Sequence, residues 1–249
     1  MRLTLTLFTL FGLGFASPLV EPVKRQSSTV QTEKLLSLER RLETEVAQFD
    51  TSGRTAMASI IDLAYAYQLP IAIEYVDSDF AAHPISLEFR HESIRSILEK
   101  IIAQVPAYRL TFSGNIVDIY VPKARDDSSN FLNKTIRNFV VNDVDTQTAD
   151  MELVCALARE LDPPGGCFGS YAPGQWGPRK VTVHIQNAKV YEVLNAIVAE
   201  NGKALWTVLV PPDSLSKRPV LNSWHIYPLE PSFKDIVLSK LASISNSAT

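Results

Sequence analysis

The stretch Ile85-Ser-Leu-Glu-Phe89 decides the fold, because a matching stretch, Val181-Thr-Val-His-Ile185, follows 96 positions later. Both alternate apolar and polar residues, which is typical of a strand with one buried face. Each is followed by an apolar stripe at helical spacing. The stripes are Ile94, Ile97, Leu98, Ile101 and Ile102 in the first case and Val190, Val193, Leu194, Ile197 and Val198 in the second. This agreement of order, phase and length indicates two copies of one unit.

The residues ahead of Ile85 supply the start of the first unit. Val46–Asp50 alternates like a short strand, and Thr55 is a candidate N-cap for a helix that ends before Pro70. Ile71–Val76 is β-branched and aromatic, which predicts a strand. Residues 77–83 are predicted as a loop.

A hairpin closes each unit. Tyr108–Phe112 and Ile116–Val121 flank a short Gly-containing turn, and the first of these strands falls on Ala204–Val208 at the spacing of 96. Further upstream a spacing of 94 places Val46 on Val140. The predicted fold class is therefore α+β, with two β-α-β-β-α-β-β units that each pack two helices on a small mixed sheet.

The chain is predicted to divide into seven segments. They are a signal peptide at 1–16, a linker at 17–32, a helix at 33–45, unit 1 at 46–122, a linker at 123–135, unit 2 at 136–229 with an inserted loop at 162–178, and a C-terminal helix and tail at 230–249.

The first 16 residues have the parts of a secretory signal. Arg2 is followed by an apolar run to Phe15, and small residues precede a cut after Ala16. An uncleaved anchor or a buried N-terminal helix is the alternative. Loss of Arg2 moves the net charge from −3 to −4. A mildly acidic chain without a basic stripe is a poor partner for nucleic acid or anionic membrane.

The two cysteines, Cys155 and Cys167, are close in sequence. In an exported protein this pair is predicted to form a disulfide. Closing so short a loop stabilises a fold by about 3 kcal/mol in the chain-entropy model. The alternative is a buried Cys155 and a free thiol at Cys167. Neither cysteine has the further His or Cys partners that zinc needs.

The sequence predicts neither an enzyme nor a cofactor. The four histidines, His83, His91, His184 and His225, have no metal-ligand spacing. No nucleophile elbow or P-loop occurs. Acidic residues such as Glu88 and Glu92 are expected on solvated faces.

The best binding candidate is the loop at 162–178. It carries Phe168, Tyr171 and Trp176 among glycines and prolines, and Arg179 follows. Exposed aromatic residues anchor interfaces because they bury a large area for few frozen torsions. Alternatively these aromatics cover the core of unit 2. Strand addition at an open sheet edge is a second route to a partner.

These elements resemble the short N-terminal (STN) domain of secretins and TonB-dependent receptors. The likeness covers Phe49-Asp50, the following helix, the strand at 71–75, the strand and helix at 85–102 and the hairpin to Val121. It extends to 140–227 in the second copy. The resemblance implies a periplasmic docking unit of a Gram-negative bacterium, with no chemistry of its own.

The predicted function is a periplasmic or secreted, non-enzymatic protein–protein interaction module. Its expected partner is another envelope protein of a secretion, transport or signalling assembly. A small-ligand or glycan binder that uses the aromatic loop is one alternative, and an unrecognised hydrolase is the other.

Overall fold

The structure is a computed structural model that describes residues 37–74, 76, 78–161, 179–208 and 224–246. All of them belong to one compact unit, Leu35–Thr249. The first half contains α1 Leu38–Leu42, β1 Glu45–Asp50, β2 Arg54–Thr55, α2 Ala56–Tyr67, β3 Ile71–Ile73, α3 Ser78–Ala82, β4 Pro84–Ile85, β5 Glu88–Ser93, α4 Ile94–Ala103, β6 Arg109–Ser113 and β7 Ile116–Tyr120. A connection follows with α5 Pro122–Asp126 and the 3₁₀ turn Phe131–Asn133. The second half contains β8 Thr135–Asp145, α6 Thr146–Leu161, β9 Lys180–Lys189, α7 Val190–Asn201, β10 Ala204–Val208, β11 Trp224–Pro228 and α8 Pro231–Asn246.

The mixed α+β class predicted from the sequence is confirmed. Helix starts follow the N-caps that the sequence offers. Thr55 Oγ1 accepts from the Ala58 N–H at 3.1 Å, and Ser93 Oγ accepts from the Ser96 N–H at 3.2 Å. Each cap satisfies an N–H group that a helix start leaves unpaired. Within the described residues, every helix is too short or too polar to cross a bilayer.

One five-stranded sheet, in the order β11-β10-β3-β7-β6, joins the two halves. β3 lies at its centre and runs parallel to both β10 and β7. An antiparallel hairpin lies at each end. The sequence predicts a separate small sheet for each unit, whereas strands of both halves share this one. Pairing with β10 satisfies backbone groups that β3 would otherwise leave unpaired. The duplication of the unit stays a prediction.

Alternate side chains of this sheet enter two apolar clusters on its opposite faces. Cluster 1 contains Ile71 and Ile73 together with the buried residues of α2 and α4. Cluster 2 contains Ala72 and Trp206 together with the buried residues of α6 and α7. α2 and α4 therefore cover one face, where α8 joins them through Val237, and α6 and α7 cover the other.

Two antiparallel ribbons, β1 with β5 and β8 with β9, lie outside this sheet. Phe49 on β1 and Phe139 on β8 occupy matching positions in their ribbons, a spacing of 90 residues. At this spacing Val46 matches Ile136, and both are buried. The predicted match of Val46 with Val140 is wrong. Val140 lies on the outer face of its ribbon and is 48% exposed.

Several predicted connections are ordered elements. In the predicted loop at 77–83, residues 78–82 form α3, and Phe80 is buried. In the predicted linker at 123–135, Phe131 and Leu132 are buried. Elements this short show no apolar period, so the pattern gives no sign of them. The strand predicted at 85–89 is interrupted between β4 and β5. Within the described part of the helix predicted at 33–45, only α1 is helical.

Candidate functional site

β6 and β7 form a tight hairpin at one end of the central sheet. Its turn, Gly114-Asn115, has positive φ at both residues, 58° and 64°. A two-residue hairpin turn of this kind demands Gly or Asn, because other residues are strained there. The turn therefore fixes the register in which Ser113 pairs with Ile116.

Alternate peptide groups of β6 point away from β7. In a hairpin with a two-residue turn, the flanking residues Ser113 and Ile116 exchange hydrogen bonds, and such pairs recur at every second residue. The N–H and C=O groups of Thr111 therefore point toward β7. Those of Leu110 and Phe112 point to the outer edge, where no described strand pairs with them.

The two ends of the sheet differ in exposure. The middle residues of β6 are half-buried and its end residues are exposed. Four of the five residues of β11 are buried, and the Tyr65 hydroxyl donates to the Pro228 carbonyl at 3.2 Å. Of the two edge strands of the central sheet, β6 is therefore the more exposed.

Charged side chains form a fixed rim beside β6. The Arg95 guanidinium lies 4.4 Å from the centroid of the Phe112 ring. It donates to Glu39 at 2.6 Å and to Glu43 at 2.8 Å. These bonds hold Arg95 over the Phe112 ring.

A buried charged cluster lies between the central sheet and α7. Arg125 donates to both carboxylate oxygens of Glu74, at 2.6–3.1 Å, and also to Asp118. The centroids of the Tyr120 and Tyr191 rings lie 3.7 and 4.4 Å from the guanidinium carbon. Glu74 is 0% exposed. The cluster therefore fastens α5 to β3, β7 and α7.

This cluster contains two carboxylates for one guanidinium. Burial raises the pKa of Glu74 to about 7, although the bonds from Arg125 act in the opposite direction. Burial also raises the pKa of Asp118. Asp118 Oδ1 is buried and has no partner among the described residues. With both carboxylates ionised, the cluster carries one uncompensated negative charge, which is costly in an apolar interior.

Hydrogen bonds extend the same cluster to α7 and β10. Asp118 Oδ2 accepts from Asn195 at 3.5 Å, and the Asn195 oxygen accepts from Trp206 Nε1 at 2.8 Å. The arrangement thus positions elements of the fold.

The structure places one of the four predicted binding residues. Arg179 Nη1 donates to the Asn201 carbonyl at 3.1 Å, at the end of α7. Arg41 donates nearby to the Gly202 carbonyl, also at 3.1 Å. Arginine side chains at a helix C-terminus satisfy carbonyls that have no partner within the helix. Phe168, Tyr171 and Trp176 lie outside the described residues.

Cys155 lies on α6 and is disulfide-bonded. Cys167 lies outside the described residues, so the predicted pairing of the two stays a prediction. A disulfide is typical of proteins that fold in an oxidising compartment.

Sequence reasoning missed the charged cluster. Glu74 and Asp118 each interrupt an otherwise apolar strand. Because a buried carboxylate needs a partner, these two positions indicate a polar cluster in the core. Arg125 gave no such signal. It belongs to the charged run Lys123–Asp127, which is expected in solvent.

The fold and site define an α+β protein whose central sheet has β6 as its more exposed edge strand. Comparison of the chain with family models, with curated proteins and with solved structures gave no match. Its function is therefore inferred from its own residues.

Proposed function

We propose that this protein is a non-enzymatic protein–protein interaction module that acts in the periplasm or outside the cell. Its partner, another protein of the envelope, adds a strand to the outer edge of β6. The observation that carries the proposal is the exposed edge of β6, with the outward peptide groups of Leu110 and Phe112. Such groups are ready to pair with an extended segment of another chain.

Further features support this function and its location. The N-terminal secretory pattern and the disulfide at Cys155 are both typical of exported proteins. The resemblance to STN domains suggests an accessory role in an envelope secretion, transport or signalling assembly. The carboxylates of Glu74 and Asp118 bind Arg125, so their charges hold elements of the fold together.

Crosslinking tests where the partner binds. A photo-crosslinking amino acid replaces Thr111 in the middle of β6 or, as the control, the exposed Gln186 on β9. Each full-length variant is mixed with envelope proteins of the native host and irradiated. We expect a discrete crosslinked product from position 111 and none from position 186. Equal products from both positions would argue against the β6 edge as the site.

A backbone variant tests strand addition itself. Leu110→Pro removes an outward N–H group, whereas Leu110→Ala loses the same side chain and keeps that group. We expect the crosslink from position 111 to fall at least tenfold in the proline variant and to persist in the alanine variant, with thermal melting confirming that both are folded. If Tyr171→Ala with Trp176→Ala abolishes the crosslink and Leu110→Pro does not, the aromatic loop is the binding site instead.

A further inference from the structure

Within this chain, the outer edge of one hairpin is already paired with a further strand. β10 is the first strand of the second hairpin, and β3 pairs with its outer edge in parallel. Ile71, Ala72 and Ile73 lie opposite Leu205, Trp206 and Thr207, respectively. All three residues of β3 are fully buried. This pairing therefore shows the direction, register and residue types of a strand that is added to a hairpin edge in this fold.

β6 and β10 present their edges in the same way. At the spacing of 96, Leu110 matches Trp206 and Phe112 matches Val208. Leu110 and Phe112 pack against cluster 1, and Trp206 and Val208 belong to cluster 2. The outward direction also agrees, since the Val208 carbonyl accepts from the Val76 N–H at 3.0 Å, on the β3 side.

The register of β3 transfers directly to β6. The first residue of an incoming parallel strand lies beside Arg109, the second beside Leu110 and the third beside Thr111. The second side chain lies on the α4 face, next to the half-buried Leu110 and Phe112. The first and third lie on the opposite face, where apolar side chains need a cover from the donor protein, as Ile71 and Ile73 are covered by cluster 1.

A second copy of this chain cannot donate its β3 while folded, because β3 already pairs on both sides with β7 and β10. A folded second copy therefore does not supply its β3 to this edge. The Leu110 side chain is smaller than that of Trp206, so a residue somewhat larger than alanine also fits the second position.

We propose that the β6 edge binds a parallel strand of another envelope protein, with β-branched apolar residues at its first and third positions and a small residue between them. This inference rests on the proposed function and adds the direction, register and chemistry of the bound strand. It predicts that a segment with the sequence of β3 binds at β6.

Disulfide trapping with a synthetic peptide tests the inference. The probe is the acetylated peptide amide Leu-Pro-Cys-Ala-Ile-Glu, which copies residues 69–74 with cysteine at the first position of the strand. It is incubated in a thiol-exchange buffer with the Arg109→Cys or the Thr111→Cys variant of the full chain. Opposed residues of paired strands lie close enough for a disulfide. We expect at least tenfold more trapping by Arg109→Cys, and the unsubstituted chain provides the background.

Backbone methylation of the peptide supplies a second, independent readout. In parallel pairing the N–H of the third residue donates to the Leu110 carbonyl, whereas the N–H of the second residue points away from β6. Methylation of the isoleucine nitrogen is expected to reduce trapping to background. Methylation of the alanine nitrogen is expected to preserve it.

The outcomes separate this inference from the proposed function. Equal or greater trapping by Thr111→Cys would overturn the direction and register taken from β3. Trapping by neither variant would overturn the β3-like chemistry of the partner strand. In both cases a partner crosslink from position 111 would leave the interaction module standing, whereas its absence would remove the module as well.

Discussion

On the α2 and α4 face of the central sheet, the three parallel strands present Ile71, Ile73, Val117, Ile119, Leu205 and Thr207, none of them charged. The α7 face of the same strands presents Asp118, with Glu74 directly after β3, and both carboxylates bind Arg125. The strand side chains on one face are thus uncharged, whereas the other face also carries a charged cluster. The second face is therefore expected to respond to pH and to single charge changes that the first ignores.

The largest loss of unfolding free energy is expected for Arg125→Ala, on the charged face. Removing the guanidinium leaves two buried carboxylates without their ion-pair partner, and breaking such a pair costs about 4 kcal/mol of unfolding free energy. The loss should be greatest near pH 8, where both groups tend to ionise. Denaturant unfolding at pH 8 measures it.

Arg137→Ala is the matched control. Arg137 pairs with Glu160 at 3.0 Å, but its side chain is 77% exposed. An exposed pair of this kind contributes less than about 1 kcal/mol. If the two arginine variants lose the same stability, the cluster does not hold the second face.

The first face could be predicted from the sequence, and the second only in part. The stripe of α4, its cap Ser93 and the turn Gly114-Asn115 follow local rules of period and backbone conformation, so the sequence reveals them. Arg125 lies in a charged run, where nothing local distinguishes a buried arginine from a solvated one. Its burial depends on Glu74, which is distant in sequence.

The candidate site likewise combines a feature that local sequence predicts with one that depends on a contact distant in sequence. The sequence predicts the β6–β7 hairpin, and it predicts strand addition at an open edge only as a general route. That β6 is the open edge depends on β10 pairing with β3. This is a contact between halves, and no periodicity within either half reveals it.

The next difference is in the pH dependence of stability. The pKa of Glu74 is raised to about 7 by burial, from a usual value near 4.5. The folded state therefore holds a proton that the unfolded chain releases between these values, so stability falls as pH rises through this window and levels off above it. The loss from this group is at most about 3 kcal/mol. Urea unfolding from pH 4.5 to 8.5 measures it.

Glu74→Gln is expected to remove this part of the pH dependence, because glutamine cannot ionise. Asp118 and Asp150, whose pKa values burial also raises, still contribute slopes of the same sign. The comparison is therefore the difference between the variant and the wild type at each pH. Glu88→Gln, at a side chain 51% exposed, is the control for the glutamate-to-glutamine change itself. Parallel profiles for Glu74→Gln and the wild type would show that Glu74 does not take up this proton.

The smallest effect is expected on the apolar face. Ile119→Val deletes one methylene group from a fully buried position in cluster 1 and should cost about 1 kcal/mol. Because no charged side chain of the parallel strands shares this face, the cost should be the same at pH 5 and pH 8. Urea unfolding at the two pH values checks it, with Val117→Ala as a larger deletion on the same face. If the cost of Ile119→Val changes with pH as the wild-type stability does, the two faces of the sheet are coupled through β7, and the contrast between them fails.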